Sequence, residues 1–210
     1  MKRLLYLILS LTLPFCSFAQ FGITSGINLS RYTYPVKKFD VHRKPILAYN
    51  IGVMYKKSLS EKIFVLPELS FTKKGTRVYY DYPIGYTGPM KHVNTLSYLE
   101  LKLPVVARLP LTDEYDFEIG VGAYAGSLIN AKQKTEEFDG SSVTEKFREG
   151  SFKKMDAGIH FTTGFRMGKT FGLNVGYDLG LMNIEGKSEN PSIKTRCFSL
   201  NLSWIFSHND

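Results

Sequence analysis

A shortage of cysteine rules out a disulfide scaffold. The chain has only Cys16 and Cys197. Cys16 falls in an N-terminal leader that is expected to be removed, so one thiol remains and no internal bridge forms. Long apolar runs are missing as well. Past residue 20 no uninterrupted apolar stretch reaches the roughly 20 residues a transmembrane helix needs, so no helical span is expected. Metal-site spacing is absent. His42, His92, His160 and His208 are scattered, with no HExxH or CxxC, so no metal is expected. No phosphate loop appears, and no cofactor is expected. Gly120-Val121-Gly122-Ala123-Tyr124-Ala125-Gly126 only superficially resembles a dinucleotide fingerprint, because its glycines share one face of a strand. Helix signals are wanting too, since the alternating segments are rich in glycine, which weakens helices.

The first residues combine Lys2 and Arg3, an apolar run from Leu4 to Leu13, and small residues at Ser17 and Ala19. A basic start, a short greasy core and a small-residue cut site describe a secretory signal peptide. Residues 1–19 are therefore read as the leader and 20–210 as a single domain of about ordinary size. A bulky Phe15 before Cys16 argues against a lipid-anchored start. The whole chain carries +8; without Lys2 and Arg3 it carries +6. No recognisable nucleic-acid module accompanies that charge, so no nucleic-acid partner is expected.

Alternation with a period of two dominates the rest. Phe198, Leu200, Leu202, Trp204 and Phe206 share one face, and Cys197, Ser199, Asn201 and Ser203 the other. Leu173 to Leu181 alternates with Gly172 to Gly180, and Ala157 to Phe165 with Asp156 to Arg166. Such runs are strands, at the length that crosses a bilayer at a tilt. Phe21–Ser30, Ile46–Lys57, Ile63–Lys73, Thr95–Leu109 and Tyr115–Ala131 complete a set of eight. Short connections at Ser58–Lys62, Pro110–Glu114 and Gly168–Thr170 alternate with long ones at Arg31–Pro45, Lys74–Asn94, Lys132–Lys154 and Glu185–Ser192. The pattern predicts an all-β fold, an eight-stranded antiparallel up-and-down transmembrane β-barrel with both termini on the short-turn side.

Alternation does not say which face is inside. A soluble lipocalin-like carrier turns its polar face to water. Here the polar face is mostly Gly, Ser, Thr and Asn with sparse charge, which suits the crowded lumen of eight strands. The apolar face is almost free of charge, as lipid contact demands. Tyr49, Tyr55, Phe71, Phe117, Phe171, Tyr177, Trp204 and Phe206 lie near strand ends as a candidate interfacial aromatic girdle. The expected location is the bacterial outer membrane.

Several segments, in order, resemble the outer-membrane β-barrel family common in Bacteroidota, labelled porin-family or PorT-like. Gln20 to Ser30 looks like its first strand. Tyr98-Leu99-Glu100-Leu101-Lys102-Leu103-Pro104 looks like its YLELPLL strand, with Lys102 as a departure. Asp156-Ala157-Gly158 matches its Asp-x-Gly start. Gly176 to Ile184 resembles its RYxxGLxNI segment, with Gly176 in place of Arg. The last strand ends on Phe206 like a barrel-assembly signal, although Ser207–Asp210 follow. The resemblance implies an outer-membrane barrel and contact with the barrel-assembly machinery through the C-terminal strand. It implies no single activity; one branch is linked to export of proteases.

Chemistry-bearing residues fall in two groups. Glu68, Glu100, Lys102, Arg108, Glu118, Asp156, His160, Arg166 and Asp178 are expected to face the lumen. Buried charges need partners, so Glu100, Glu118 and Asp156 are expected against Lys102, Arg108 and Arg166. Such a network is either a structural plug or a narrow path for ions or very small solutes. No serine is spaced to serve His160 as a nucleophile, which speaks against a lipid-modifying enzyme. Outside, loop one carries Arg31, Lys37, Lys38, Arg43 and Lys44 against Asp40, a net +4. Loop two adds Lys74, Arg77 and Lys91, with interleaved tyrosines. Loop three carries six basic residues against five acids and is either mobile or extends its hairpin. These loops are expected to meet lipopolysaccharide phosphates or an unidentified envelope protein.

Overall fold

The computed structural model describes residues 20–33, 41–80, 91–137, 140–148, 150–168, 170–186 and 192–206. The expected leader, residues 1–19, lies outside them. The described chain forms ten strands and no helix: β1 (Gln20–Thr33), β2 (Val41–Ser58), β3 (Ile63–Val65), β4 (Glu68–Tyr80), β5 (Lys91–Pro110), β6 (Tyr115–Glu136), β7 (Ser142–Lys146), β8 (Met155–Met167), β9 (Phe171–Gly180) and β10 (Lys194–Ile205). Eight are staves of one closed ring. Its order is β1-β2-β4-β5-β6-β8-β9-β10, and β10 pairs back onto β1 from Gly22↔Ile205 to Thr33↔Lys194. Every pairing is antiparallel. Closure leaves the staves no open edge, the condition for strands to stand in lipid.

The face pattern decides between the two barrel types. Ile23, Ile27, Val53, Leu101, Leu103, Val121, Phe165 and Leu202 are exposed, while Thr24, Asn28, Asn50, Thr72, Glu100 and Asp178 are buried. An apolar belt of this extent is not a surface for water. The barrel is a transmembrane one, with its polar face turned inward; the lipocalin-like arrangement is the reverse and is excluded.

Three boundaries differ from those read in the sequence. The segment Ile63–Lys73 is not one strand. Leu66-Pro67 interrupts it, because Pro67 has no N–H to donate to a ladder; Tyr55 N–H bonds the Pro67 carbonyl at 2.9 Å instead. β4 then runs past Lys74 to Tyr80, so Lys74 belongs to the barrel wall and not to loop two. Loop one loses both of its flanks, because β1 runs to Thr33 and β2 begins at Val41. Arg31 lies in β1, Arg43 and Lys44 lie in β2, and Lys37 and Lys38 lie outside the described residues. Loop three extends its hairpin, one of the two readings the sequence allowed, with β7 paired to the end of β6.

β5 has 20 residues and β6 has 22. At about 3.3 Å per residue, β6 runs roughly 70 Å, about twice the ~10 residues a tilted stave needs in the bilayer. The surplus of β5 and β6 projects on the side opposite the short turns. One of those turns requires glycine: Gly168 has φ 58° and joins β8 to β9.

Candidate functional site

Charge in the barrel is stacked in layers, with an apolar cluster toward each end. At the turn end, Met54, Phe64, Leu66, Val106 and Ile205 form a buried cluster. The interruption at Pro67 sends Phe64 and Leu66 inward to build it. The Lys56 ammonium lies over the Phe64 ring, 4.4 Å from its centre. At the outer end Tyr32, Leu96, Tyr98, Ile184 and Ile193 form a second cluster, joined by Leu128, Ala131 and Phe152.

Between them lie the Lys74 and Lys102 pairs, and two more pairs sit at the turn end beside the first cluster. Arg166 holds Glu118 with two bonds, Nε to Oε1 at 2.5 Å and a terminal nitrogen to Oε2 at 2.9 Å. This fork geometry is among the strongest a carboxylate accepts. Arg108 sits half-buried at the turn-end rim, 3.6 Å from Asp116. Lys102 stands 3.6 Å from Glu68. A cavity of about 20 Å³ separates the Lys102 and Arg166 layers, bordered by Glu68, Glu118 and His160. That is room for about one water molecule. Asn50 donates to Asn28 at 2.7 Å and to Asn201 at 2.8 Å, tying three staves together.

Lys74 is the centre of the next layer. Its ammonium, with no solvent exposure, lies 2.6 Å from Glu100, 3.1 Å from Asp178 and 4.0 Å from Asp156. It also lies 4.4 Å from the centre of the Tyr124 ring. Asp178 makes a 2.6 Å hydrogen bond with His160 Nδ1. Asp156 accepts from the Tyr124 hydroxyl at 3.2 Å and the Thr195 hydroxyl at 2.8 Å. Tyr124 fits because its stave neighbour is glycine: a Cβ on Gly158 would stand 2.8 Å from the Tyr124 ring and 2.1 Å from the Leu179 carbonyl.

Of the nine lumen candidates, all face inward, but their partners differ from expectation. Glu118 pairs with Arg166 as anticipated. Lys102 takes Glu68, Arg108 takes Asp116, and the pair of Glu100 and Asp156 turns to Lys74. Lys74 was missed because the Lys73-Lys74 doublet reads as a loop start. Parity would have found it: Glu68, Ser70, Thr72 and Lys74 share one face.

The aromatic candidates occupy two levels. Tyr55 packs edge-on to Phe21 at 5.3 Å, and Phe117 to Phe165 at 5.4 Å. Trp204 pairs with Phe171, and Phe206 follows β10. These sit at the turn end. Tyr49 stands six positions up β2 from Tyr55, beside Phe71 at 6.4 Å and beneath the Lys73 ammonium at 4.5 Å. Tyr177 stands six positions up β9 from Phe171, opposite Phe161 and Phe198. A spacing of six is about 20 Å along a strand, so one ring cannot hold all eight residues.

On the outer side, Arg31 lies opposite Arg196, whose guanidinium donates to the Gly180 and Thr195 carbonyls at 2.7 Å each. Lys44 lies 5.3 Å from the centre of the Tyr79 ring. Lys91 binds Glu136 at 2.5 Å across the projecting hairpin, and this bond holds the Glu136 carboxyl below the usual carboxylate range.

The family model described as the outer membrane protein beta-barrel domain matches residues 12–186. A search of curated proteins returns no match. Among solved structures the chain is similar to Ail, the attachment invasion locus protein of Yersinia pestis, at 17% identity and TM-score 0.44 over 90% of this chain and 99% of that one. It is similar to Neisserial surface protein A at 8% identity and TM-score 0.48, over 90% and 99%. It is similar to OprG of Pseudomonas aeruginosa at 12% identity and TM-score 0.47, over 90% and 97%.

Proposed function

We propose a function from one premise: the chain belongs to the outer membrane protein beta-barrel domain family, and it is an integral barrel of the outer membrane. Its role in the envelope is non-enzymatic and is carried by the outer rim, with the lumen serving as a sealed strut. One observation supports this above the others. The Lys74 and Lys102 layers lie between two buried apolar clusters, with a cavity of about 20 Å³ beside them. Eight staves leave little aqueous space in any case. His160 is bonded to Asp178 inside this closed lumen, out of reach of a lipid substrate. The export-accessory role of the PorT-like branch is one form such an envelope role takes. Export by the 1–19 leader and insertion by the barrel-assembly machinery, through β10 and Phe206, complete the scheme.

A narrow ion path is the second reading, favoured by the number of charges in line along the lumen. Planar-lipid recording of the purified barrel separates the two. No current steps above background are expected. Reproducible steps that grow when Tyr98 and Ile184 of the outer closure are cut to alanine would establish the channel and end the strut.

A further inference from the structure

Outside the lumen, the top of β6 carries a break in register. Ser97 of β5 faces Asn130 and Tyr98 faces Leu128, so Ile129 is an extra residue in β6. A bulge of this kind re-aims a side chain, and Ile129 is 58% exposed on the outer face. Beside it runs a groove of about 290 Å³, lined by Ile129, Phe147 and Phe152 and by Lys146, Arg148 and Lys154. The apolar part is built and not accidental. Phe147 meets Phe152 edge-on at 4.8 Å, and Phe152 packs on the outer closure, 6.4 Å from Tyr32.

Among the described residues no acidic side chain lines the groove, and Lys146, Arg148 and Lys154 make no ion pair, whereas Lys91 and Lys134 both use Glu136. Lys146 also stands directly opposite Lys132 in the β6–β7 ladder. Like charges in that relation destabilise a ladder, and a bound anion relieves them. The height is informative too. Lys154 immediately precedes Met155, the last apolar outward residue of β8, and Met155 is 52% exposed. The groove therefore opens where the lipid belt ends and head groups begin, on the side away from the short turns.

We propose that this groove binds a phosphorylated glycolipid of the outer leaflet. The phosphate lies among Lys146, Arg148 and Lys154, where charge-assisted bonds form, and the acyl region lies against Ile129 and Phe147. The site depends on the barrel's place in the membrane and not on a sealed lumen, so conductance leaves it untouched. It also moves the phosphate contact from loop one to the β6–β8 edge.

The test uses the full folded chain in non-ionic detergent and native mass spectrometry. The probes are diphosphorylated lipid A, the same lipid without phosphates, and inorganic phosphate. One diphosphorylated lipid per barrel is expected to bind saturably. Combining Lys146→Glu, Arg148→Glu and Lys154→Glu is expected to weaken it roughly 100-fold, from three basic groups near an anionic head group. Combining Arg31→Glu, Arg43→Glu and Lys44→Glu should leave it unchanged. A mobility shift on boiling in SDS verifies that each variant is folded. If reversal prevents folding, glutamine at the same three groove positions takes its place, with a smaller loss of the same sense. Wild-type binding by the folded groove variant overturns the proposal. So does equal binding of the phosphate-free lipid, displacement by inorganic phosphate, or a loss confined to the loop-one variant.

Discussion

Lys74→Met retains an unbranched side chain of similar length and deletes one charge. Its consequence depends on where Lys74 lies. On a loop, a surface substitution costs within about 0.5 kcal/mol. In the wall, the ammonium has no exposure and contacts Glu100 at 2.6 Å and Asp178 at 3.1 Å, with Asp156 at 4.0 Å. Removing one partner of a buried pair costs about 3–5 kcal/mol, because the remaining charge is stranded. Asp178 keeps His160 at 2.6 Å, and Asp156 keeps Tyr124 and Thr195. Glu100 is the acid left without a close cation, so the upper half of that range is not needed and about 3 kcal/mol is expected. Adding Glu100→Gln to Lys74→Met removes the stranded charge. The double variant should regain about 1–2 kcal/mol, a coupling of the size seen for residues in one network.

The assay is the urea midpoint of the barrel folded into lipid vesicles, with the folded fraction read as the unboiled band on SDS gels. Midpoints convert to free energy at constant slope. A single variant within 0.5 kcal/mol of wild type would return Lys74 to the loop. A double variant as unstable as the sum of its singles would remove Glu100 as the partner that matters.

Three further outcomes follow from the same geometry. Gly158→Val should cost about 1–3 kcal/mol by overpacking, since even a Cβ meets the Tyr124 ring at 2.8 Å; an unchanged urea midpoint would show that Tyr124 has another place to go. Cys197, buried on the lumen face of β10, should resist maleimide in the folded barrel and react after unfolding, counted by mass; labelling at equal rates would mean that the lumen is open. Glu136 is held below its ordinary value by Lys91. A depressed carboxyl contributes stability that is present above the unfolded value, about 4.3, and is lost as pH falls through the folded value. Exchange protection of the projecting β6 amides should therefore drop on acidification below about pH 4, and Lys91→Met should abolish the acid dependence; an identical dependence in the variant would assign it to another group.

Legibility varied with distance from the lipid. β8, β9 and β10 follow strict alternation because one face meets lipid and the other the lumen, and a slip would exchange them. Their inward residues Asp156, His160, Arg166, Asp178 and Asn201 were read from sequence alone. Beyond the belt both faces are polar and the period fades. That is why Arg31, Arg43 and Lys44 read as loop although β1 and β2 continue through them. Two breaks of parity hid the rest. Pro67 splits a stave and turns Phe64 and Leu66 into a closure. The Ile129 bulge re-phases β6, so that Leu128 and Ala131, of opposite parity, both pack on the outer closure opposite Tyr98 and Leu96, at a point where the sequence shows no glycine or proline to announce it. Pairings such as Lys74 with Glu100 and Asp178 depend on the stagger between staves, which no single strand's pattern contains.

The lumen charges have a second consequence that bears on function. In lipid, the apolar belt gains little from contact with its neighbours, because hydrocarbon surrounds it in every arrangement. The ladder bonds are satisfied in almost any register. What separates the native register from its neighbours is the inside. A slip of one residue in β4, β5 or β8 would carry Lys74, Glu100 or Arg166 to the lipid face, at a cost that reaches about 2–4 kcal/mol for a basic residue at mid-bilayer and falls toward the interfaces. It would also strand partners such as Glu118, now held by two bonds from Arg166. The Asn28–Asn50–Asn201 bonds add the same constraint across β1, β2 and β10. A network that fixes register must stay paired, which is the basis of the strut reading proposed above. Lys146, Arg148 and Lys154 on the outer rim stand outside this network, so the proposal that they hold an anion can be tested there without disturbing the register.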